Sequence, residues 1–434
     1  MTVTYDPDHL NYYNEDDLRQ ELTRVYDLCH GCRLCFNLCP SFPTLFNAID
    51  KYDGEVASLT HKEQDIVVDQ CYQCKLCYIK CPYVPPHEWE LDFPRLMMRA
   101  NALKQKKKTG SIKERMADQA LSRTDLAGAV STVFSGVVNP IVTKPGGIVR
   151  KAMEPLAGIS SKRLLPPYTK VRFSTWWKKR GAKKIENEQE RVAIFQTCFV
   201  EYMAPEVGKD LVGVLEHNEI SCTVPSGVKC CGAPWLHSGN VDMFKKVAEQ
   251  NVARLSIEAA QGRAIVVPEP TCSYIIKEDY PKYLKSDEAK LVASQTFDTS
   301  EYLVSINKSQ DRTLKSDFNG EYPKEVTYHA PCHLRAQNIG FKTRDLLKGA
   351  GVKVNIVTEC SGIDGTWGYR VENQEESVQV SKKLMSAVKK GQDAGVNTVV
   401  GECHLANTAI LESTGSMPLH PMQILARAYG LDEE

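Results

Sequence analysis

The 434-residue sequence predicts an α+β multidomain protein in which a helical N-terminal module precedes two tandem α/β lobes. The sixteen cysteines form two groups of eight, one between Cys29 and Cys81 and the other between Cys198 and Cys403. The long stretch between the two groups contains no cysteine, which marks a domain boundary.

Short β-branched runs alternate with helical patterns from Arg191 onward, and this alternation is typical of an α/β fold. The runs are VAIF at 192–195, AIVV at 264–267, VTY at 326–328, VNIV at 354–357 and TVV at 398–400. The cysteine pattern also repeats, because Cys198, Cys230 and Cys272 are matched by Cys332, Cys360 and Cys403 at offsets of 134, 130 and 131 residues. We therefore expect two homologous lobes.

Four segments follow from these boundaries. Residues 1–100 form the helical, cysteine-rich module, and residues 101–188 form a basic, weakly apolar linker. Residues 189–318 form the first α/β lobe, and residues 319–434 form the second. Within the first segment, Leu18, Leu22, Val25 and Leu28 recur at helical spacing, so an amphipathic helix is expected to lead into the first cysteine motif.

Composition restricts the class of protein. Lys plus Arg and Asp plus Glu both number 54, so no overall charge favours nucleic acid, and we expect no nucleic-acid partner. The polar, acidic N-terminus lacks the apolar segment of a secretory signal, which predicts a cytoplasmic protein. Cysteines in a reducing compartment favour metal or redox chemistry over disulfides.

The first cysteine group repeats the pattern C-x2-C-x2-C-x3-C-P. Such spacing lets three thiolates bind one cubane cluster while the fourth reaches the other cluster. We therefore predict two 4Fe-4S clusters, the first held by Cys29, Cys32, Cys35 and Cys81, and the second by Cys71, Cys74, Cys77 and Cys39. Zinc is the alternative, but it usually uses two separated cysteine pairs.

Eight thiolates for eight iron corners leave no open iron for a substrate, so these clusters are expected to move electrons. The sequence contains no G-x-G-x-x-G after a strand and no P-loop, which predicts that flavin or nicotinamide chemistry belongs to a partner. No catalytic residue is assigned to this chain, and whether it is itself an enzyme is left open.

The first α/β lobe carries Cys198, Cys230, Cys231 and Cys272, each expected after a strand. Loops at the carboxyl ends of neighbouring parallel strands can converge on one site. Gly232, beside the paired thiols, allows a close backbone approach. Cys222 is a spare cysteine expected in the core.

The spacing C-x31-C-C-G, followed by a distal cysteine, resembles the cysteine-rich CCG domain of heterodisulfide reductase and its relatives. The order of the segments resembles the family of the anaerobic glycerol-3-phosphate dehydrogenase C subunit along almost the whole chain. The motifs HAPCH at 329–333 and CSGIDGTWGYR at 360–370 strengthen this resemblance.

The resemblance implies a membrane-associating adaptor that passes electrons from a flavin-containing dehydrogenase through its clusters toward menaquinone. Relatives use different electron donors, so the resemblance does not identify the donor. It places the chain in the cytoplasm, at the cytoplasmic face of the inner membrane. Two other functions remain open: an autonomous heterodisulfide or thiol-disulfide reductase, and a zinc-stabilised docking scaffold.

The chain departs from the family pattern in both lobes. The second lobe has Cys360-Ser361 where a cysteine pair is expected, and Cys403-His404-Leu405-Ala406 where C-x-x-C is usual. The first lobe retains four thiols, for which a third iron-sulfur cluster, zinc or free thiols remain open. The second lobe is expected to be empty or to bind a metal or a quinone headgroup. The candidate residues are Cys332, Cys360 and Cys403 with His329, His333 or His404. For the quinone headgroup, Trp367 is a further candidate.

Two segments bear on membrane contact. The apolar stretch from Leu126 to Val142 falls short of the ~20 residues that cross a bilayer, so we expect no transmembrane helix. Trp176 and Trp177 precede Lys178, Lys179 and Arg180, and this combination suits either peripheral membrane docking or tryptophans that cover a core while the charges face water.

Overall fold

The computed structural model describes residues 2–186, 188, 190–308, 312–363 and 365–431. Its N-terminal module contains five helices: α1 (Glu15–Cys32), α2 (Ser41–Asp50), α3 (His61–Asp69), α4 (Leu76–Lys80) and α5 (Phe93–Lys107). Asn14 caps α1 by accepting a hydrogen bond from the Asp17 N–H, and α1 buries Leu18, Leu22 and Val25 on one face. The expected leading helix is therefore present.

The linker folds into five helices: α6 (Ile112–Ser122), α7 (Thr124–Val133), α8 (Ser135–Val142), α9 (Ile148–Ala157) and α10 (Phe173–Arg180). Most of the large apolar side chains that the structure leaves exposed lie on or beside α6 to α9, and we call them the apolar linker surface. Its members are Ile112, Met116, Leu126, Val130, Val133, Phe134, Val137, Ile148, Val149, Met153, Leu156 and Val171.

In the described chain, no single helix has the length and apolar character needed to cross a bilayer. Helices α7 and α8 together have sufficient length and apolar composition, but the chain bends by 114° between them.

The first lobe contains a four-stranded parallel sheet in the order β2-β1-β3-β4. Its elements are β1 (Glu190–Ile194), α11 (Cys198–Tyr202), α12 (Pro205–His217), β2 (Ile220–Thr223), α13 (Ala233–His237), α14 (Val241–Ala259), β3 (Ile265–Val267), α15 (Pro270–Tyr274), α16 (Tyr280–Leu284), α17 (Asp287–Ser294), β4 (Thr296–Asp298) and α18 (Thr299–Ile306). A π-helical turn at Ile275–Asp279 joins α15 to α16.

The second lobe contains a three-stranded parallel sheet in the order β6-β5-β7. Its elements are β5 (Glu325–His329), α19 (Cys332–Ala336), α20 (Lys342–Gly349), β6 (Lys353–Val357), α21 (Gln374–Asp393), β7 (Val399–Val400), α22 (His404–Thr414) and α23 (Pro421–Ala428). This order is the same as the order β2-β1-β3, so the cysteine repeat corresponds to a repeat of topology.

The two lobes share one hydrophobic core. Buried side chains of β1 and α12 belong to the same cluster as those of β5, α20 and α23. Representative members are Val192, Ile194, Leu211, Leu215, Val326, Tyr328, Leu347 and Leu425. Separating the lobes would expose this surface to water, so they are expected to fold as one unit.

A buried acidic group lies where the lobes meet. Asp298 is fully buried and caps α18 by accepting a hydrogen bond from the Ser300 N–H at 3.0 Å. Glu402, which follows β7, accepts one from the Tyr328 hydroxyl at 2.9 Å. Burial, and then the Glu301 carboxylate, raise the pKa of Asp298 to about 7.

The raised pKa of Asp298 predicts a pH-dependent stability. The folded protein holds a proton that the unfolded chain loses above pH 3.8, the ordinary pKa of this group. The stabilisation from the protonated Asp298 is fully present below that pH, and the free energy of unfolding falls as pH rises toward about 7. Asp298→Asn keeps the cap and should be more stable than the wild type in urea at about pH 8, with no gain at about pH 4. Exposed Glu288→Gln is the control, and equal gains at both pH values would contradict the prediction.

Candidate metal centres

The first cysteine motif is arranged around one cavity. Cys29 and Cys32 lie in the last turn of α1, which ends at Arg33 with a positive φ of 50°. Cys35 follows in the loop, and Cys81 caps the C-terminus of α4. The four thiols line the same cavity, together with Phe42, Phe46, Tyr83 and other apolar side chains. The structure therefore brings the predicted set together across the two motifs.

Burial disfavours Cys29 and Cys35 of this first set as free anions. Burial raises the pKa of Cys29 far above its ordinary value, and Cys35, Cys81 and Cys32 raise it further. Burial and then Cys81 raise the pKa of Cys35 to about 11. The sulfurs of Cys29 and Cys35 would bear a negative charge only when a cation compensates it, and iron supplies that charge in thiolate-bound clusters.

The second motif forms a corresponding set around Cys77. Burial raises the pKa of Cys77 far above its ordinary value, and the nearby sulfurs of Cys74, Cys71 and Cys39 add to the effect. Gln73 Nε2 donates a hydrogen bond to Cys71 Sγ at 3.5 Å. The structure thus places Cys39 of the first motif with three thiols of the second.

A buried lysine lies in the second motif, and the sequence analysis missed it. Lys75 is 3% exposed and occupies the left-handed region with a φ of 63°. Its Nζ donates to Gln73 Oε1 at 2.7 Å and to Met98 Sδ at 3.5 Å. An ammonium group therefore lies next to a candidate cluster, and only its position between Cys74 and Cys77 could have indicated this.

Four thiols meet at the carboxyl ends of three strands in the first lobe. Cys198 follows β1, Cys230 and Cys231 follow β2, and Cys272 lies in α15 after β3. Cys230 is hydrogen-bonded to Cys198 and Cys231, which lowers its pKa well below the ordinary value. Cys231 also hydrogen-bonds to Cys272. The predicted set is therefore contiguous, whereas Cys222 lies in the core as expected.

Helix α7 of the linker covers this thiol group. The Cys230 N–H donates to Asp125 Oδ2 at 3.0 Å, and the Thr124 side chain lies next to Cys230. Burial and then Cys230 raise the pKa of Asp125 to about 6. Gly128 lies so close to Tyr202 that an added Cβ would clash with its ring. The linker therefore forms one wall of the site, which sequence reasoning did not predict.

The second lobe presents its three cysteines to a small cavity. Cys332, Cys360 and Cys403 line it together with His329 and His333. The Cys332 thiol lies within hydrogen-bonding distance of both Cys360 and Cys74. The Tyr72 hydroxyl lies 3.5 Å from Cys360 Sγ. The second-lobe thiols therefore contact the second ferredoxin motif directly.

The three histidines predicted for this site have different positions. Both nitrogens of His333 are hydrogen-bonded, to the Thr271 hydroxyl at 3.0 Å and the Gln73 carbonyl at 3.0 Å. His329 Nε2 pairs with the Glu359 carbonyl at 3.1 Å. His404 lines a different cavity, on the side of α22 that faces the linker. His404 therefore does not join the other two.

The three tryptophans singled out in the sequence lie in two different environments. Trp367 does not line the second-lobe cavity; it packs on Tyr72 with ring centroids 5.1 Å apart, and its Nε1–H donates to the Asp69 carbonyl at 2.8 Å. Trp176 and Trp177 pack against the shared core. The Arg180 guanidinium lies over Trp176 and pairs with Glu216 at 2.6 Å. These two tryptophans therefore cover a core, which is the second of the two alternatives left open by the sequence, and most of the exposed large apolar side chains lie in the linker instead.

Comparison with known proteins identifies the domains. Residues 21–82 match the 4Fe-4S dicluster domain, and residues 192–277 and 326–406 each match the cysteine-rich CCG domain. The anaerobic glycerol-3-phosphate dehydrogenase C subunit of Escherichia coli K12 is 30% identical over 312 residues, which cover 71% of this chain and 76% of that protein. The chain belongs to the family of this glycerol-3-phosphate dehydrogenase component.

Other relatives carry different names. The B subunit of the fumarate reductase (CoM/CoB) of Methanothermobacter marburgensis is 29% identical over 55% of this chain and 46% of that protein. Lactate utilization protein A of Exiguobacterium is 28% identical over 56% of this chain and 97% of that protein. The relatives of this chain are therefore named for different substrates.

The donor sets suit iron-sulfur clusters by their chemistry. In the described residues, no group of three or more histidine, cysteine or acidic side chains is already spaced as metal ligands are. In the first lobe the sulfurs instead hydrogen-bond to one another. Soft thiolates in sets of four are nevertheless the ligands that iron-sulfur clusters and zinc prefer. The match to the 4Fe-4S dicluster domain favours iron for the N-terminal sets.

Proposed function

We propose that this chain is the iron-sulfur electron-transfer subunit of a dehydrogenase complex, in which it carries electrons from a flavin-containing partner to a quinone. The two N-terminal sets of four cysteines hold 4Fe-4S clusters in this proposal. When bound, the clusters supply one-electron redox chemistry, and the protein side chains position and insulate them. The contact of Cys74 with Cys332 and Cys360 carries the proposal, because it joins the second cluster site to the second lobe.

The first cluster site is the side on which the donor binds. Cys32 is exposed, and beside it Leu34 and Phe36 are 59% and 44% exposed. Arg33 pairs with Asp50 at 2.5 Å on the same surface. Exposed apolar side chains rimmed by charges are a common form of protein interface. The flavin-containing partner therefore docks over Cys32, and electrons pass from the first cluster inward to the second.

The acceptor side faces a membrane surface. The apolar linker surface is formed by short helices that pack on the protein through one face and expose apolar side chains on the other. Lys144 and Lys151 lie exposed among them. Amphipathic helices with basic residues bind at the lipid headgroup boundary without spanning the bilayer. Peripheral contact through α6 to α9 would place the second lobe next to the lipid phase, where quinones are dissolved.

The thiol pair of the second lobe favours a second candidate function, a thiol-disulfide reductase. The Cys332 and Cys360 sulfurs are in contact. The hydrogen bond from Cys332 is the largest influence on the pKa of Cys360 and lowers it to about 7, although burial acts in the opposite direction. In that case two electrons and two protons from the clusters and solvent would convert a bound disulfide to two thiols. Quinone and disulfide acceptors can be compared directly on the same preparation.

The test starts from anaerobically purified full-length protein. Two cubanes require about eight iron atoms per chain, and a further cluster in the first lobe raises the count toward about twelve. Dithionite-reduced protein should be reoxidised by a naphthoquinone in anionic lipid vesicles, with loss of its electron paramagnetic resonance signal. Ferricyanide is the control acceptor. Turnover of a disulfide without reaction with quinone would favour the reductase, and protein without redox-active iron would leave only the scaffold.

A further inference from the structure

An apolar cavity of about 440 Å³ lies between the linker and the second lobe. Linker residues form one wall, and α22 forms the other. The lining residues are Thr143, Pro145, Leu164, Pro166, Pro167, His404, Thr408, Leu411, Glu412 and Met417. Its volume falls within the ~300–1,000 Å³ that small-molecule sites occupy. The cavity is separate from the one that Cys332, Cys360 and Cys403 share.

His404 is the polar side chain of this cavity that lacks a partner. It is 5% exposed, and neither ring nitrogen has a hydrogen bond to any described residue. Its ring stacks on Phe199 with centroids 3.4 Å apart, which fixes the orientation of the imidazole. Leaving a buried polar group unsatisfied costs about 1–3 kcal/mol. A ligand that pairs with the imidazole would recover this free energy.

The other polar groups of the cavity are already paired. Glu412 accepts a hydrogen bond from the Leu164 N–H at 2.6 Å and pairs with Arg163 at 3.1 Å. The Thr408 hydroxyl donates to the His404 carbonyl at 2.9 Å. The cavity therefore offers one free hydrogen-bonding group in an apolar lining. This combination suits a flat, apolar molecule with a carbonyl oxygen and does not suit a metal ion or a charged metabolite.

The position of the cavity connects it to both sides of the proposed electron path. Cys403 immediately precedes His404 and lines the thiol cavity with Cys332 and Cys360, and Cys332 contacts Cys74 of the second cluster site. On the other side, Thr143 and Pro145 belong to the segment that joins α8 to α9, which carry part of the apolar linker surface. The cavity thus lies between the candidate redox groups and the exposed apolar helices.

We propose that this cavity binds the ring of a lipophilic quinone, with His404 donating a hydrogen bond to one quinone carbonyl. The prenyl tail leaves between α8 and α9 along the apolar linker surface. The inference rests on the proposed function for its acceptor class. It keeps only His404 of the residues expected from the sequence, and it places the quinone in the cavity between α22 and the linker, away from His329 and His333.

The experiment measures quinone binding without electron transfer. Oxidised, cluster-loaded full-length protein is titrated with a short-chain menaquinone analogue by equilibrium dialysis in detergent. His404→Leu removes the hydrogen bond and should weaken binding about ten-fold. Leu411→Trp fills the cavity and should abolish binding. Ser413→Trp, on the exposed side of the same helix, is the matched control and should bind as the wild type does. Iron content and ferricyanide reoxidation should be unchanged in all three variants.

The outcomes separate the site from the function. If the wild type binds and is reoxidised by the quinone while both cavity variants behave like Ser413→Trp, the cavity assignment is overturned and the proposed function stands. If the wild type neither binds nor reacts with the quinone, both are overturned. If a saturated fatty acid displaces the analogue as well as unlabelled quinone does, and His404→Leu does not weaken binding, the cavity would be assigned to a lipid tail instead.

Discussion

Substituting Cys81 with alanine should remove the cluster of the first motif, and substituting Cys39 should remove the cluster of the second. Each of these cysteines lies with three thiols of the other motif. Loss of one ligand leaves three thiolates for a cubane that needs four, and burial disfavours those thiolates without iron. Iron content should fall by about four atoms per chain in either variant.

Reference variants decide whether the ligands cross between motifs. Cys81→Ala and Cys32→Ala should both lack the first cluster, so the electron paramagnetic resonance spectra of these two reduced variants should match. Cys39→Ala and Cys77→Ala should both lack the second cluster, and their spectra should match each other. Cys222→Ala, which lies 3% exposed in the core of the first lobe, should keep both signals. If Cys39→Ala instead matched Cys32→Ala, each motif would hold its own cluster and the crossed assignment would be wrong.

Substituting Lys75 with methionine is expected to lower the reduction potential of the second cluster by about 100 mV. Two unit charges roughly 6 Å apart interact by about 3 kcal/mol at an effective dielectric constant of about 20, and about 1.4 kcal/mol corresponds to about 59 mV for one electron. The buried ammonium stabilises the extra negative charge of the reduced cluster. Without it, the added electron is less stable and the potential becomes more negative.

The potential is best measured by redox titration in a Cys81→Ala background, where only the second cluster should remain. Lys80→Met is the matched control, because Lys80 ends the helix that begins directly after Lys75 but is exposed. Water and salt screen an exposed charge, so its removal should shift the potential only slightly. An unchanged potential in Lys75→Met, with full iron content, would show that the lysine does not influence the cluster.

Periodicity and spacing predicted the main elements of the fold. The β-branched runs correspond to β1, β3, β5, β6 and β7, and the amphipathic pattern before Cys29 corresponds to α1. These elements were predictable because most of their apolar residues pack into buried clusters. Strand β4 was missed, since Thr296–Asp298 is three residues long and has no alternating apolar pattern. The repeat of cysteine spacing correctly indicated a repeat of topology.

Contacts between distant segments were not predictable from the sequence. Asp125 bonds to Cys230 over 105 residues, and Trp367 to Asp69 over 298 residues. No local pattern encodes such pairs, because they depend on how folded modules pack. The same reason explains His404: adjacency to Cys403 suggested a shared site, but a residue that begins a helix can face the opposite side from the residue before it.

The position of α7 constrains how the protein matures. Cys230, Cys231 and Cys272 are at most 5% exposed, and the first turn of α7 contacts Cys230 while Leu126, Val130 and Val133 of the same helix remain exposed. If these thiols bind iron or zinc, the metal has to reach them before α7 packs against Cys230. If lipid also holds the outer face of α7, the membrane would keep this site closed, so any metal would have to be loaded before the protein binds the membrane.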